Sequence, residues 1–153
     1  MSGPDPRKQA SEAARWYDAA AEDLRLVQAA IGLEPPSYAG GTFHCQQAAE
    51  KIVKGLLVAR ARRLTRTHDL ARLTDQCLKD WPDLRRELEL CRPLTQWNIQ
   101  FRYPRPDETA ESPPSIAEIA EVAAELESFL SAARAAAGRR SAEAAPGSTR
   151  DSA

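Results

Sequence analysis

Residues 43–57 read Phe43-His44-Cys45-Gln46-Gln47-Ala48-Ala49-Glu50-Lys51-Ile52-Val53-Lys54-Gly55-Leu56-Leu57. Ala49, Ile52, Val53, Leu56 and Leu57 recur three and four apart, the spacing that lines apolar side chains along one side of an α-helix. Gln47, Glu50, Lys51 and Lys54 fall on a stripe opposite that arc. Glu50 and Lys54 stand four apart with the acid first, an order worth roughly 0.3 kcal/mol as a solvated helix pair. The stripe has a second reading, in which amide and ammonium groups line a cleft that meets a phosphate or a nucleobase. Gln46 sits at the edge of the apolar arc, where burial demands hydrogen-bond partners. The helix is expected from Tyr38 or Thr42 to about Arg60.

The same periodicity extends both ways. Trp16, Ala20, Leu24, Val27 and Ile31 share one face of a helix expected over Ser11–Ile31, with Gly32 as its stop and Glu34-Pro35-Pro36 forcing an extended turn. After a basic connector, Ala61–Thr67, a short third helix over about Asp69–Lys79 turns Leu70, Leu73 and Cys77 inward. Pro82 suits the first turn of a fourth, which carries Leu84, Leu88, Cys91 and Leu94 and ends near Asn98. Pro104, Pro106, Pro113 and Pro114 rule out a regular helix between it and the next. Ser115-Ile116-Ala117-Glu118 matches a capping box. The fifth helix then runs on a seam of Ile116, Ile119, Ala123, Leu126, Leu130, Ala133 and Ala137, with Gly138 as its end. That seam either closes the core or makes a dimer. Little strand pattern is present. The expectation is an all-α, antiparallel up-and-down bundle of about five helices over 11–137. A flexible arm over 1–10 precedes it and a disordered tail over 138–153 comes after it.

Composition narrows the function classes. The 153 residues suit one domain plus tails, and a net charge of -1 removes any bulk attraction to nucleic acid or anionic membrane. A nucleic-acid site would have to be a local basic patch. Arg60, Arg62, Arg63 and Arg66 crowd one such stretch, whereas Glu108–Glu127 is acid-rich with no Lys or Arg. No run approaches the roughly 18 apolar residues of a membrane helix, and the start lacks the apolar core of a signal peptide, so a cytoplasmic protein with no membrane contact is expected. Cys45, Cys77 and Cys91 are odd in number and lack C-x-x-C pairing, which points to core residues, not a disulfide or zinc framework. With only His44 and His68 besides, no metal or cofactor is expected.

Two further segments carry candidate chemistry. In Thr67-His68-Asp69-Leu70, Thr67 or Asp69 can cap the third helix, and His68 is either a structural histidine, a phosphate contact or an acid/base group. In Gln100-Phe101-Arg102-Tyr103-Pro104, an arginine between two aromatics either pins a loop or presents its guanidinium to a phosphate or base.

The ordered set of Phe43–Leu57, Thr67–Leu70 and Arg102–Pro104, with the Trp16–Leu24 segment upstream, resembles the HEPN domain family across about residues 12–135. The resemblance implies a helical bundle that dimerises. It also implies a prokaryotic branch encoded beside a minimal nucleotidyltransferase partner, commonly as a toxin–antitoxin pair. Many members of the family are metal-independent ribonucleases. Their signature is an Arg followed, four to six residues on, by a His at the end of the fourth helix. Attack by the RNA 2′-hydroxyl then uses the His as acid/base and the Arg to steady the phosphate.

No His follows Arg102 at that spacing. Arg63 and His68 match it, as do Arg62 and His68, but in the connector after the second helix, where a chance match is about an even expectation. The reading is therefore a non-catalytic module that binds a nucleotide or RNA, homodimeric and paired with a minimal nucleotidyltransferase. Its ligand-binding residues are Gln47, Glu50, Lys51, Lys54, His68, Asp69, Arg102 and Tyr103. The alternative is a ribonuclease toxin with a rearranged site, His68 as acid/base and Arg102 as phosphate clamp. A third reading is a structural partner docking through the fifth-helix seam.

Overall fold

The computed structural model describes residues 3–100 and 113–144, the side chains of 98–100 excepted. All regular structure among the described residues is helical. It comprises α1 (Pro6–Ile31), α2 (Tyr38–Ala59), α3 (Leu70–Leu78), α4 (Arg85–Cys91), α5 (Thr95–Gln100) and α6 (Ile116–Ala144), with 3-10 turns at Pro82–Leu84 and Arg92–Leu94.

Helix α2 is the centre. It touches all five other helices, and fourteen of its 22 residues are buried. Small side chains permit this. Ala48, Ala49 and Cys45 on α2 are fully buried, and so are Ala13 and Ala20 on α1. Their size lets the backbones come close. Gly55 faces the ring of Tyr17, whose Cε1 would lie 2.4 Å from a Cβ placed there. Helix α6 closes the other side, burying Ile119, Ala123, Leu126, Phe129, Leu130 and Ala133. Its start is the expected capping box: Ser115 Oγ accepts from Glu118 N (3.1 Å), and Glu118 Oε2 accepts from Ser115 N (3.3 Å).

Three boundaries differ from the sequence expectation. Helix α1 begins at Pro6, inside the expected flexible arm, because Asp5 caps it, accepting from Arg7 N at 2.9 Å, and Pro6 occupies the first turn. Helix α6 passes through Gly138 to Ala144, because Gly138 has no positive φ and so forms no left-handed cap. The expected fourth helix is broken. Pro93 has no N–H to donate, and the chain tightens to a 3-10 turn there before α5 resumes.

The joint after α2 sets the position of the basic connector. Arg62 N donates to Leu57 O and Ala61 N to Val58 O, both at 2.9 Å, with Ala61 at φ 55. This is a Schellman turn with alanine where glycine is usual. Trp81 then anchors the α3–α4 corner to α2, donating its Nε1–H to Leu56 O at 3.0 Å beneath the Arg60 guanidinium. Leu70 N donates to Thr95 Oγ1 at 2.9 Å, tying the start of α3 to the start of α5.

The three cysteines are free and buried, as expected of core residues. Burial pushes the thiols of Cys45 and Cys77 up to about 12, so neither is a thiolate at neutral pH.

Urea unfolding checks the two backbone claims. Gly55→Ala is expected to destabilise despite its better helix propensity, by about 1 kcal/mol net, because overpacking against the buried Tyr17 ring outweighs the gain. Ala61→Gly is expected to stabilise by up to about 1 kcal/mol, by relieving a left-handed alanine.

Candidate functional site

The polar stripe of α2 lies not on a solvated face but in a seam between α1, α2 and the α2–α3 connector. The side chains of Glu50 and Lys54 are only 6% and 11% exposed, which excludes the simple surface pair. Sequence periodicity gives the direction of a helix face but not what packs on it. Here α1 and the connector cover a face that polarity alone assigned to water.

Burial forces each charge to find partners. Glu50 Oε1 accepts from Lys54 Nζ at 2.6 Å and from His68 Nδ1 at 3.0 Å. Its Oε2 is 3.1 Å from both His68 Nδ1 and Gln46 Nε2. Gln46 is fully buried, and its oxygen accepts from Gln47 Nε2 at 2.7 Å, so the edge position is satisfied. Burial raises the Glu50 carboxyl, but the hydrogen bonds from Lys54, His68 and Gln46 outweigh it and hold the group below its ordinary value.

A second cluster repeats the pattern one helix away. Asp23 of α1, also buried, accepts from His44 Nδ1 at 2.9 Å through one oxygen and from Lys51 Nζ through the other. The molecule thus carries two sets of carboxylate, imidazole and ammonium, both built on α2. An ionised carboxylate can only accept, so the neutral imidazole in each set carries its proton on Nδ1 and leaves the Nε2 lone pair free. The His68 side chain is 77% exposed, that of His44 25%. Nε2 of His68 is therefore an accessible acceptor, and a donor when the ring is protonated.

The structure brings together Gln47, Glu50, Lys54 and His68 from the sequence expectation. Lys51 belongs instead to the Asp23 cluster. Asp69 performs the capping role, accepting from Ala71 N (3.0 Å) and Arg72 N (3.3 Å), while Thr67 Oγ1 accepts from Asp69 N. Arg102 and Tyr103 lie outside the described residues. Lys51 and Lys54, expected among the ligand-binding residues, are each paired with a buried carboxylate. Sequence reasoning does not single out Asp23 and His44 as site residues. The available signal is that Asp23 falls three after Ala20 and four before Val27, in the apolar register of α1. Among the described residues no group of three or more His, Cys, Asp and Glu is arranged to hold a metal ion.

The depressed Glu50 carboxyl contributes stability that is present above the unfolded value of about 4.3 and is lost as pH falls through the lower folded value. Glu50→Gln leaves a nearly buried ammonium without its counter-charge and is expected to cost about 3 kcal/mol near pH 7. The gap to wild type should narrow below about pH 4. Urea midpoints across pH 2–8 measure it, and a gap independent of pH would contradict the linkage.

The family model described as the HEPN domain matches residues 13–136, the bundle from early α1 to within α6. No curated protein and no solved structure matches. The match spans most of the chain and takes in all the described members of both clusters, so the chain belongs to the HEPN domain family.

Proposed function

We propose that this chain is a non-catalytic nucleotide- or RNA-binding HEPN protein, a dimer that partners a minimal nucleotidyltransferase in a cytoplasmic toxin–antitoxin-type system. The observation that carries the binding reading is the imidazole of His68. It is fixed through Nδ1 by a buried carboxylate and offers Nε2 to solvent. A ring held in one orientation loses little freedom when it bonds a phosphate or a base edge. Binding is favoured over cleavage by the state of the lysines. Attack of a 2′-hydroxyl on the adjacent phosphodiester, with loss of the 5′-oxygen, needs a cation on the developing charge, and Lys51 and Lys54 are each neutralised by a carboxylate. The partnership rests on the family resemblance and on the sequence Arg102-Tyr103-Pro104 with no His after it. Among the described residues no helix is long and apolar enough to cross a membrane, which accords with a role away from one.

One observation favours the ribonuclease alternative. A carboxylate bonded to Nδ1 of an imidazole with Nε2 free is the arrangement that makes histidine a general base. With Arg102 as clamp it would supply both groups of a rearranged site.

Calorimetric titration of purified protein with a nucleoside triphosphate and with a short RNA, coupled to gel analysis of the RNA, separates the two. Binding with intact RNA is expected, and His68→Ala is expected to weaken it about tenfold, the worth of one charge-assisted hydrogen bond. Cleavage that His68→Ala abolishes would replace this reading with the alternative. No binding to either ligand, alone or with a minimal nucleotidyltransferase added, would remove it.

A further inference from the structure

The cations around the α2–α3 connector sort into two groups. Arg60 and Arg62 are structural. Arg60 donates to Asp80 O and lies over Trp81, and Arg62 grips the Asp80 carboxylate with two bonds of 2.7 Å. Arg15, Arg63, Arg66 and Lys79 are exposed and make no hydrogen bond or ion pair to a described residue. Complementing the negative C-terminal end of α2 explains the first group, whose members come directly after the last turn. It does not explain four further cations without an ion-pair partner among the described residues, contributed by α1, the connector and the C-cap of α3 in a chain of net charge -1.

Two grooves flank the connector, with Arg62 on the rim of both. One, of about 580 Å³, is lined by Glu12, Arg15, Trp16, Val58, Arg62 and Leu64. The other, of about 280 Å³, is lined by Leu57, Arg62, Arg63, Gln76 and Lys79. Trp16, which lines the first groove, borders the Glu50 cluster, with Lys54 Nζ 5.8 Å from the centre of its ring. A half-buried indole and apolar walls among arginines suit a nucleobase, which has a π-face and a charged backbone attached. A membrane surface needs no such slot, and an acidic peptide has no obligate planar group.

We propose that these two grooves and the connector between them form the docking track for single-stranded RNA. Arg63, Arg66 and Lys79 carry the phosphates and Trp16 stacks a base at the end beside Lys54. The inference rests on the nucleic-acid reading above and gives that reading its path, moving the electrostatic contacts from Lys51 and Lys54 to the connector.

Fluorescence anisotropy with a labelled, unstructured 15-nucleotide RNA tests it, at several salt concentrations. The surface variant Arg63→Gln/Arg66→Gln/Lys79→Gln touches no hydrogen bond among the described residues. It is expected to bind about tenfold or more weakly at 0.1 M salt and to lower the slope of log K against log salt by about 2, the value for three single-strand phosphate contacts. Trp16→Ala is expected to weaken binding at least about fivefold with the slope unchanged. If wild type binds and the triple variant matches it in affinity and slope, the track is wrong while the nucleic-acid reading stands. If Trp16→Ala binds as wild type does, the stacking assignment is overturned. If wild type binds neither RNA nor nucleotide, both fail. If polyglutamate of similar length competes as well as RNA, the surface takes acidic peptides and the proposal is overturned.

Discussion

A carboxylate buried in the middle of the central helix constrains everything around it. Glu50 lies on the helix that touches all the others and is almost entirely out of water. An ionised group there persists only if its oxygens are satisfied, and three side chains do so: Lys54 from the next turn, Gln46 from the previous one, and His68 from the far end of the connector. The first two are local and result from helical spacing. The third pins a ten-residue segment back onto the bundle. Without it, nothing in the Schellman turn at Ala61 would oblige the chain to return to α2 before α3 begins. The structural requirement of the carboxylate and the presentation of the imidazole are thus one interaction. Asp23 repeats the arrangement between α1 and α2, with His44 and Lys51 as its partners.

Charge in this molecule is separated by depth as well as position. The lysines nearest the imidazoles are neutralised within the fold, whereas Arg15, Arg63, Arg66 and Lys79 are exposed and make no ion pair with a described residue. A net charge near zero conceals this. The acid-rich start of α6 balances the connector in the sum, but Glu118–Glu127 lies on α6, whereas these cations lie on α1, the connector and the C-cap of α3. Screening at physiological salt acts over about 8 Å, so a ligand at the connector responds most to the charges nearest it.

How much was legible in the sequence depended on how local each determinant was. The α6 start was readable because all four residues of its capping box are adjacent and the two bonds form within them. The core faces of α2, α3 and α6 were given by periodicity, although Phe129 was missed on α6 and Tyr17 takes the fully buried place on α1 next to the expected Trp16. Gly138 and Pro93 misled in opposite ways. A glycine ends a helix only when its φ turns positive, and that depends on whether the residues after it can leave the helix. Leu88, Cys91 and Leu94 keep helical spacing across Pro93, so the apolar pattern alone does not show the break that the missing N–H makes. The candidate site was half legible. Its residues on α2 and at His68 are legible, and so is the Glu50–Lys54 pair four residues apart, but the pairings with His68 and Asp23 are not, because those bonds join residues 18, 21 and 28 positions apart. Nothing in a helical stripe tells whether its lysines meet water or a carboxylate on a neighbouring element.

The central claim is that buried carboxylates hold both imidazoles by Nδ1 and so leave Nε2 without the proton. Long-range nitrogen–proton correlation spectra of the ¹⁵N-histidine-labelled protein test this directly, at a pH where the rings are neutral. A free histidine favours the tautomer with its proton on Nε2. The account predicts that His44 and His68 both carry it on Nδ1, and that Glu50→Gln, whose amide oxygen is a weaker acceptor, shifts His68 toward the free pattern while leaving His44 unchanged. Spectra in which wild-type His68 already shows the proton on Nε2 would contradict it.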